Sequence, residues 1–494
     1  MTRKNTTYLA ALTLAASLTA GFPAVASERD DSTGSDAAFG VMAHSMLWQS
    51  RRAAFFAGPA SACFRYRTDL TELRADGTLQ EGDGDYAVQL GTDPRRIGFE
   101  ASTYTLHSSH TLTGRALYSI GRTDGVTLNE NADPLTVYPY LTADSTGGGM
   151  TAERYLFEGG YADHRGRIFW GVEGGYEAGL SYRMTDPRPR NITGRLTANA
   201  GIGLTAGHYG VALSAMYRRY TQTSELMFKD DTGGEKTYQM TGLGTVYNRF
   251  TGMGLKSNFR GNTFAVTAEL IPLGETGFSV EAVMTRFNLT KLLADLNSLP
   301  LARVWENRLD AKAGYISGTG PLRWIAEAGI TAVRRHGIEN IFGDATLSSY
   351  PLIDALEMYA DNRLAVRAGG TVEWAMRRGQ SVGAQVGCIH ARRTEVYAYP
   401  RIEEKTSETS LHVTLRYDGA FAHGWTVSVM PWGIADRHLS GGLRLAVGKR
   451  AGSRFTVGLT GGVGVDRPRL ADFDSGAPVS GKALCAEAGV FAAF

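Results

Sequence analysis

Two short patterns in the sequence could do chemistry, and each lacks a residue that the chemistry needs. Residues 476–482 have the spacing of a phosphate-binding loop, but Ala483 stands where a magnesium-binding Ser or Thr belongs. The acidic residues Glu81, Asp83 and Asp85 could offer oxygen ligands to calcium, but their stretch is too short for a calcium loop and lacks its bidentate Glu. We interpret the first pattern as a loop before a strand and the second as a solvated hairpin tip.

The histidines and cysteines form no recognisable site in the sequence. None of the ten histidines lies in an HExxH or nucleophile-elbow pattern. Cys63, Cys388 and Cys485 are too few and too scattered for a disulfide framework or a metal site. We therefore predict no enzymatic activity, no metal and no cofactor. A hydrolase, which would need Ser, His and a carboxylate to meet in the fold, is the least favoured alternative.

Long segments of alternating apolar and polar residues dominate the chain. From Ile168 to Tyr182 one parity is apolar or aromatic apart from Gly174, while the other carries Glu173 and Glu177. Successive strand side chains point to opposite faces, so this segment has an apolar face and a charged face, which suits a wall between lipid and water. The same alternation recurs to the end of the chain and predicts an all-β fold, a single closed antiparallel transmembrane β-barrel.

The connectors between these segments alternate between short and long, which is typical of short periplasmic turns and long extracellular loops. The predicted long connectors are residues 122–150, 223–252, 289–303, 335–362, 396–408 and 465–480. Counting the segments between them predicts an even number of about 14–18 strands, with 18 as the best estimate. Connector 335–362 is unusually apolar, so we expect it either to fold inward as a constriction or to bind a partner outside.

The charged parity of the strands supplies the candidate functional residues, because it must face the barrel lumen. The predicted lumen-lining set, a candidate pore, is Arg115, Glu173, Glu177, Arg195, Arg218, Glu269, Glu281, Arg323, Glu327, Arg367, Glu373, His412, Arg416, Arg444, Arg454 and Glu487. Its signs are mixed, which favours a lining of ion pairs that braces the wall over a polar, weakly selective pore, because paired charges neutralise the field that selection requires. A polar, weakly selective pore remains the functional interpretation of the same residues.

The N-terminus has the features of a secretory signal peptide. Arg3 and Lys4 precede an apolar run, and residues 24–26 are Ala-Val-Ala. We predict cleavage after Ala26, which leaves residues 27–60 as a periplasmic or lumen-entering segment and residues 61–494 as the barrel. Beyond the signal peptide, residues 1–26, no segment has the roughly 20 consecutive apolar residues that a membrane helix needs. Without Arg3 and Lys4 the 51 basic residues fall to 49 and equal the 49 acidic ones, so charge gives no support for nucleic-acid binding.

The last strand carries a recognisable pattern. Leu484, Ala486, Ala488 and Val490 alternate outward and the chain ends on Phe494, which resembles the C-terminal signal of Gram-negative outer-membrane barrels. This resemblance implies that Phe494 is an assembly signal for the barrel-assembly machinery, and that the protein resides in the lipid of the cell outer membrane. The chain as a whole resembles outer-membrane barrels of an uncharacterised, domain-of-unknown-function family, which implies no assigned activity.

The functional hypotheses follow from the lumen and the connectors. The leading one is a passive pore, or the barrel component of an uptake system, for small polar solutes. The alternative is a plugged structural or binding barrel that recruits a surface protein partner through its extracellular loops. These differ in whether the lumen provides a continuous water path.

Overall fold

The alternating segments form long antiparallel strands in the computed structural model, which describes residues 46–47, 50, 56–66, 69–83, 89–229, 237–346, 350–376, 379–451, 455–466 and 482–494. In chain order the strands are β1 (Leu70–Asp83), β2 (Thr92–Leu106), β3 (His110–Val126), β4 (Thr142–Asp144), β5 (Gly148–Arg165), β6 (Ile168–Tyr182), β7 (Arg188–Ala206), β8 (Tyr209–Met227), β9 (Thr237–Gly242), β10 (Thr245–Val246), β11 (Lys256–Pro272), β12 (Thr276–Leu293), β13 (Leu299–Ser317), β14 (Leu322–Phe342), β15 (Leu352–Ala375), β16 (Gln380–Tyr397), β17 (Ile402–Ala420), β18 (Trp425–Ala435), β19 (Leu439–Ala451), β20 (Phe455–Asp466) and β21 (Lys482–Ala493).

Eighteen of these strands form one closed barrel, which confirms the predicted fold class and strand number. Strand β1 pairs with β2 on one side and with β21 on the other, so the first and last barrel strands close the sheet. At the closure, Thr71 N–H donates to the Phe494 carbonyl at 2.8 Å and Phe494 N–H donates back at 2.9 Å. Closure leaves no exposed sheet edge, the usual weakness of an isolated sheet.

The outer face of the barrel is an apolar belt with aromatic residues near the periplasmic turns. Phe157, Met284 and Leu459 are each more than half exposed, and their neighbours on the same face are also apolar. Near the short turns the ring centroids of Tyr161 and Trp170 are 5.3 Å apart, and those of Phe278 and Tyr315 are 4.8 Å apart. An exposed apolar surface of this extent, flanked by aromatic residues, is characteristic of contact with a bilayer.

Three of the predicted loops are mostly strand, and the prediction of their lengths was wrong. Strand β14 continues to Phe342 and β15 begins at Leu352, so most of residues 335–362 is a hairpin that extends the wall. Likewise β12 and β13 take up most of 289–303, and β16 and β17 most of 396–408. A bilayer requires only about 9–11 residues per strand, so the remaining residues of these strands project beyond it. Of the apolar residues in 335–362, Phe342 and Tyr359 are buried, whereas Leu352 and Ile353 are exposed.

The helices within the described residues are short. A four-residue α-helix, α1 (Pro134–Val137), lies between β3 and β4, and single 3₁₀ turns occur at Ala60–Phe64, Asn248–Phe250, Ala294–Leu296 and Ala422–Gly424. Met46, Leu47 and Ser50 have helical backbone. No helix within the described part of the chain is long and apolar enough to cross a membrane.

Candidate functional site in the barrel lumen

The N-terminal segment, whose described residues are 46–47, 50 and 56–66, lies inside the barrel. It contacts the strand face that carries Glu269, opposite the exposed apolar face, and in a closed barrel that face is the interior. The Glu269 carboxylate accepts the backbone N–H of Ala57 at 2.7 Å and of Gly58 at 3.1 Å, and the Ser61 hydroxyl at 3.2 Å. Three donors on one carboxylate from β11 fix this part of the segment to the wall.

Apolar contacts continue the attachment on both sides of Glu269. Leu47 and Phe56 pack with Ile271, Ile316 and Ile325 in one buried cluster. A second cluster joins Ala60 to Phe169 and Ala212. The Phe64 ring meets Phe169 edge-on at a centroid distance of 5.0 Å. The contacts lie near the short turns, so the segment occupies the periplasmic half of the lumen.

Further polar contacts extend the segment across the lumen. Leu47 N–H donates to Glu373 at 3.2 Å, and the Ser50 and Thr371 hydroxyls are 2.9 Å apart. Glu373 and Thr371 both lie on β15. At the other end the Tyr104 hydroxyl of β2 donates to the Ala62 carbonyl at 3.0 Å. The described contacts thus reach from β2 to β15.

A glycine in β6 makes room for the segment where backbone meets backbone. A Cβ at Gly171 would lie 2.6 Å from the Pro59 carbonyl carbon and 3.0 Å from Ala60 N. Real side chains do not approach so closely without displacing a neighbour, and a backbone neighbour moves less easily than a side chain. The absence of a side chain at 171 is therefore part of how the segment fits.

The extracellular half of the lumen contains a second insertion, here called the cap, formed by residues 127–147 and 237–255. Its strands β4, β9 and β10 form a small separate sheet, with β4 paired to β9. Its apolar side chains join wall residues of β8 and of β11 to β14 in the largest buried cluster described, which comprises Val137, Tyr140, Leu141, Ala143, Tyr220, Met240, Phe250, Phe259, Leu289, Leu293, Leu299, Leu301, Ala302, Val304 and Phe342. The cap is thus held by apolar burial as well as hydrogen bonds.

Polar side chains anchor the cap to several strands. Glu395 accepts hydrogen bonds from the Tyr138 hydroxyl at 2.7 Å and from the Tyr359 hydroxyl at 2.8 Å. On the opposite wall Arg183 forms a fully buried ion pair with Glu130 at 2.7 Å. Burial raises the pKa of Glu130 to about 7, and the neighbouring Arg183 only partly offsets this effect.

Most of the residues predicted to line the lumen are paired with a neighbour. The contacts are Arg115 with Glu100 at 2.8 Å, Glu177 with Arg154 at 2.6 Å and with Arg195 at 2.7 Å, Arg218 with the Thr197 hydroxyl at 3.1 Å, Glu281 with Lys312 at 3.0 Å, Arg367 with the Thr331 hydroxyl at 2.9 Å, Arg416 with Asp418 at 2.8 Å, and Arg444 with Glu487 at 2.8 Å. Glu269 and Glu373 bind the N-terminal segment, as described above. Glu173 of β6 and Arg323 and Glu327 of β14 lie on the lumen-facing side of their strands. Arg454 lies outside the described residues.

Sequence reasoning missed the charged residues nearest the extracellular end. Asp361 is bridged by Arg363 at 2.7 Å and by Arg393 at 3.0 Å, and Arg393 also pairs with Glu395 at 2.9 Å. Asp361 was assigned to the loop 335–362 because the prediction began β15 too late, whereas Arg363, Arg393 and Glu395 lay in predicted strands but were not included in the lumen-lining set. Asp361 and Arg363 have the same parity as the predicted lumen residue Arg367, so extending that parity along β15 would have found both.

The described residues cover only part of the chemical patterns of the sequence. The described histidine nearest a serine is His412, whose Nε2 lies 2.9 Å from the Ser410 hydroxyl, but Ser410 is only 2% exposed. Residues 84–88 and 467–481, which hold Asp85 and the phosphate-loop pattern before Lys482, are outside the described residues, as is the predicted cleavage site at Ala26. Cys63, Cys388 and Cys485 are free thiols.

Comparison with solved structures finds weak likenesses to receptors. Aligned chains include the siderophore receptor PirA from Pseudomonas aeruginosa (10% identity, TM-score 0.38, 85% of this chain and 80% of that one) and the ferric preacinetobactin receptor BauA from Acinetobacter baumannii (8%, 0.39, 87% and 80%). The ferric-catecholate import receptor Fiu from E. coli K12 aligns at 8% identity and TM-score 0.37, over 85% of this chain and 81% of its own. These values are too low to support any functional argument.

Comparison of the sequence with protein families gives a definite result. No curated protein matches the chain. The model of DUF6850, a family of unknown function, matches residues 59–464, which run from the N-terminal segment through nearly all of β20. Because this match covers well over half of the sequence, the chain belongs to the DUF6850 family of unknown function.

Proposed function

We propose that this outer-membrane-type barrel is the barrel component of an uptake route for small polar solutes, and that its N-terminal segment restricts passage through the lumen. One observation carries the proposal. Within the described residues the segment forms no β-ladder with the wall, and side-chain acceptors such as Glu269 and small apolar clusters hold it instead. Contacts of this kind can be released without breaking the barrel sheet.

The mixed charges of the wall support a polar solute over an apolar one. Ion pairs such as Glu281 with Lys312 keep the lumen hydrophilic while lowering its net field. Diffusion of polar molecules of either sign is the expected behaviour of such a lining, and strong ion selectivity would need a ring of one sign.

Conductance of the purified protein in planar bilayers tests the proposal. We expect a small current from the wild type, and a several-fold larger one from Glu269→Ala and from a variant lacking residues 46–66. Glu327→Ala, which removes a carboxylate from the same strand face of β14, is the matched control and should behave as wild type. A correctly folded deletion variant with no added conductance would contradict the proposal.

The cap favours one other candidate function, a binding barrel with a permanently closed lumen. Its buried apolar cluster resembles a small protein core and gives no sign of easy release. If the cap closed the lumen permanently, the variant lacking residues 46–66 would carry no current. Binding of a surface partner would then depend on residues of the cap. We infer that the proposed tests separate the two functions, because only an uptake route gains conductance.

A further inference from the structure

A cavity of about 350 Å³ opens on the wall where the barrel closes, and we call it the seam cavity. Its walls come from β1, β2 and β18 to β21, away from the Glu269 and Glu373 attachments of the N-terminal segment. Strands β18 to β21 have only 11 to 13 residues, close to the minimum for crossing a bilayer. The cavity therefore lies where the wall strands are shortest, on a part of the wall away from Glu269 and Glu373.

Strand register shows how the cavity is built from two neighbouring rows of lumen-facing residues. The first row runs across the strands as Arg444, Gly462, Glu487, Thr78 and Arg96. The second row runs as Trp432, Gly442, Gly464, Cys485 and Gln80. The first row thus supplies the charged side chains, and the second row supplies an aromatic ring next to two glycines.

The glycines make room for the side chains that line the cavity. Cβ atoms at Gly442 and Gly464 would lie 2.9 Å from the Trp432 Nε1 and 2.8 Å from its Cζ2, so the indole lies directly against bare backbone. A Cβ at Gly462 would lie 2.6 Å from Glu487 Oε1, and the 2.8 Å ion pair of Glu487 with Arg444 crosses above this glycine. Larger residues at these three positions would displace the Trp432 ring or the ion pair of Glu487 with Arg444.

The charges of the lining favour an anion. Arg96 and Arg444 each have about half of the side chain exposed, at 47% and 52%. Arg444 pairs with Glu487, while Arg96 pairs at 3.1 Å with Asp76, which does not line the cavity. A guanidinium carries five N–H donors, so one carboxylate partner leaves further donors on each of these two lining residues for a ligand.

We propose that the seam cavity binds a small organic carboxylate with a planar or apolar body. Its carboxylate would accept hydrogen bonds from Arg96 and Arg444, and its body would lie on the Trp432 ring. The cavity is at the lower end of the range for small-molecule sites, about 300–1,000 Å³, which suits a ligand of one ring. This inference rests on the proposed function only in naming the solute class, because binding can be measured without transport.

Calorimetric titration of the purified full-length barrel with benzoate tests the site. We expect saturable binding that weakens at least tenfold in Arg96→Gln and in Trp432→Ala. Arg74→Gln, which removes an arginine of β1 that does not line the cavity, should bind benzoate as the wild type does. Benzylamine and glucose, a cation and a neutral solute, should not bind there. Absence of saturable benzoate binding, equal binding by all variants, or equally tight binding of glucose or benzylamine would overturn the proposal.

Cys485 provides an independent reporter because it lines the cavity. In a Cys63→Ser, Cys388→Ser variant, saturating benzoate should slow the reaction of Cys485 with a negatively charged thiosulfonate several-fold. An unchanged rate would overturn the placement of the ligand. A barrel that binds benzoate without carrying current would refute the proposed uptake route alone, whereas current without benzoate binding would refute the seam site alone.

Discussion

Lys291 is the residue whose surroundings match its chemistry least well. Its side chain is 1% exposed at the cap, its Nζ has no hydrogen-bond partner among the described residues, and it lies 5.5 Å from the Phe259 ring centroid. Burying an amine without an acceptor is costly, and the adjacent ring compensates only in part. We predict that Lys291→Met raises the free energy of unfolding by about 1–3 kcal/mol, measured by denaturant titration of the refolded barrel.

Lys312→Met is the matched control for that prediction. Lys312 pairs with the buried Glu281 at 3.0 Å, so its removal leaves a buried carboxylate without its cation and should lower the unfolding free energy. If both substitutions destabilised the barrel to a similar extent, Lys291 would have a compensating partner and the account of its burial would be wrong.

Glu130 makes the attachment of the cap depend on pH. Its pKa is raised to about 7 in the folded barrel, above the value of an exposed Glu, so its stabilising contribution is complete below the unfolded-state pKa. That contribution is lost as the pH rises through about 7. We therefore predict that the unfolding temperature falls between about pH 4.5 and pH 7, and that the fall is shallower in Glu130→Gln.

The test is decided by how steeply the unfolding temperature changes with pH, and not by a constant difference in unfolding temperature between the variant and the wild type. Because a Gln side chain resembles the protonated carboxyl of Glu130, the variant and the wild type should be closest in stability near pH 4.5 and should diverge as the pH rises through about 7. An identical slope in the variant and the wild type would show that Glu130 does not titrate in this range.

At the scale of elements, β6 and the N-terminal segment must fit backbone against backbone. We predict that Gly171→Ala displaces the segment near Pro59 and increases bilayer conductance, because the added methyl group would overlap that backbone. Gly174→Ala is the control on the same strand, since the nearest atom to its Cβ would be 3.9 Å away. Equal currents from both variants would show that residues 59–60 do not obstruct the lumen.

The strands could be predicted well because each has one face in lipid and one in water. The alternation in β6 and in the last strand indicated both the fold and the orientation of the side chains. The same rule failed for residues 335–362, where both sheet faces contact protein or water once the strands leave the bilayer. There Phe342 turns inward to the cap and Leu352 is exposed, so apolar residues no longer mark one face.

The site could be predicted only in part. Alternation identified Glu269 and Arg444 as lumen residues, but their roles depend on partners distant in sequence. Glu269 binds backbone more than 200 residues away, and β4 pairs with β9 across about 95 residues. No local pattern encodes such contacts, because short segments with ordinary composition can pair with many alternatives.

At the scale of the whole molecule, the lumen is divided into three parts: the N-terminal segment, the cap and the seam cavity. The first is attached by polar contacts and small apolar clusters, the second by a large buried apolar cluster, and the third is lined by Trp432 and charged side chains that pack beside glycines. This division predicts that solute passage is controlled first by the N-terminal segment. Solute passage then depends on release of the N-terminal segment from the wall.

A reversible tether tests that claim most directly. A Cβ at Gly383 would lie 3.4 Å from the Cβ of Met46, close to the separation in a disulfide. Met46→Cys with Gly383→Cys, in a Glu269→Ala background without the three native cysteines, should therefore hold the segment in place when oxidised and free it when reduced. We predict a small bilayer current before reduction and a several-fold larger one after it. A tethered barrel whose current is the same in both states would contradict the account.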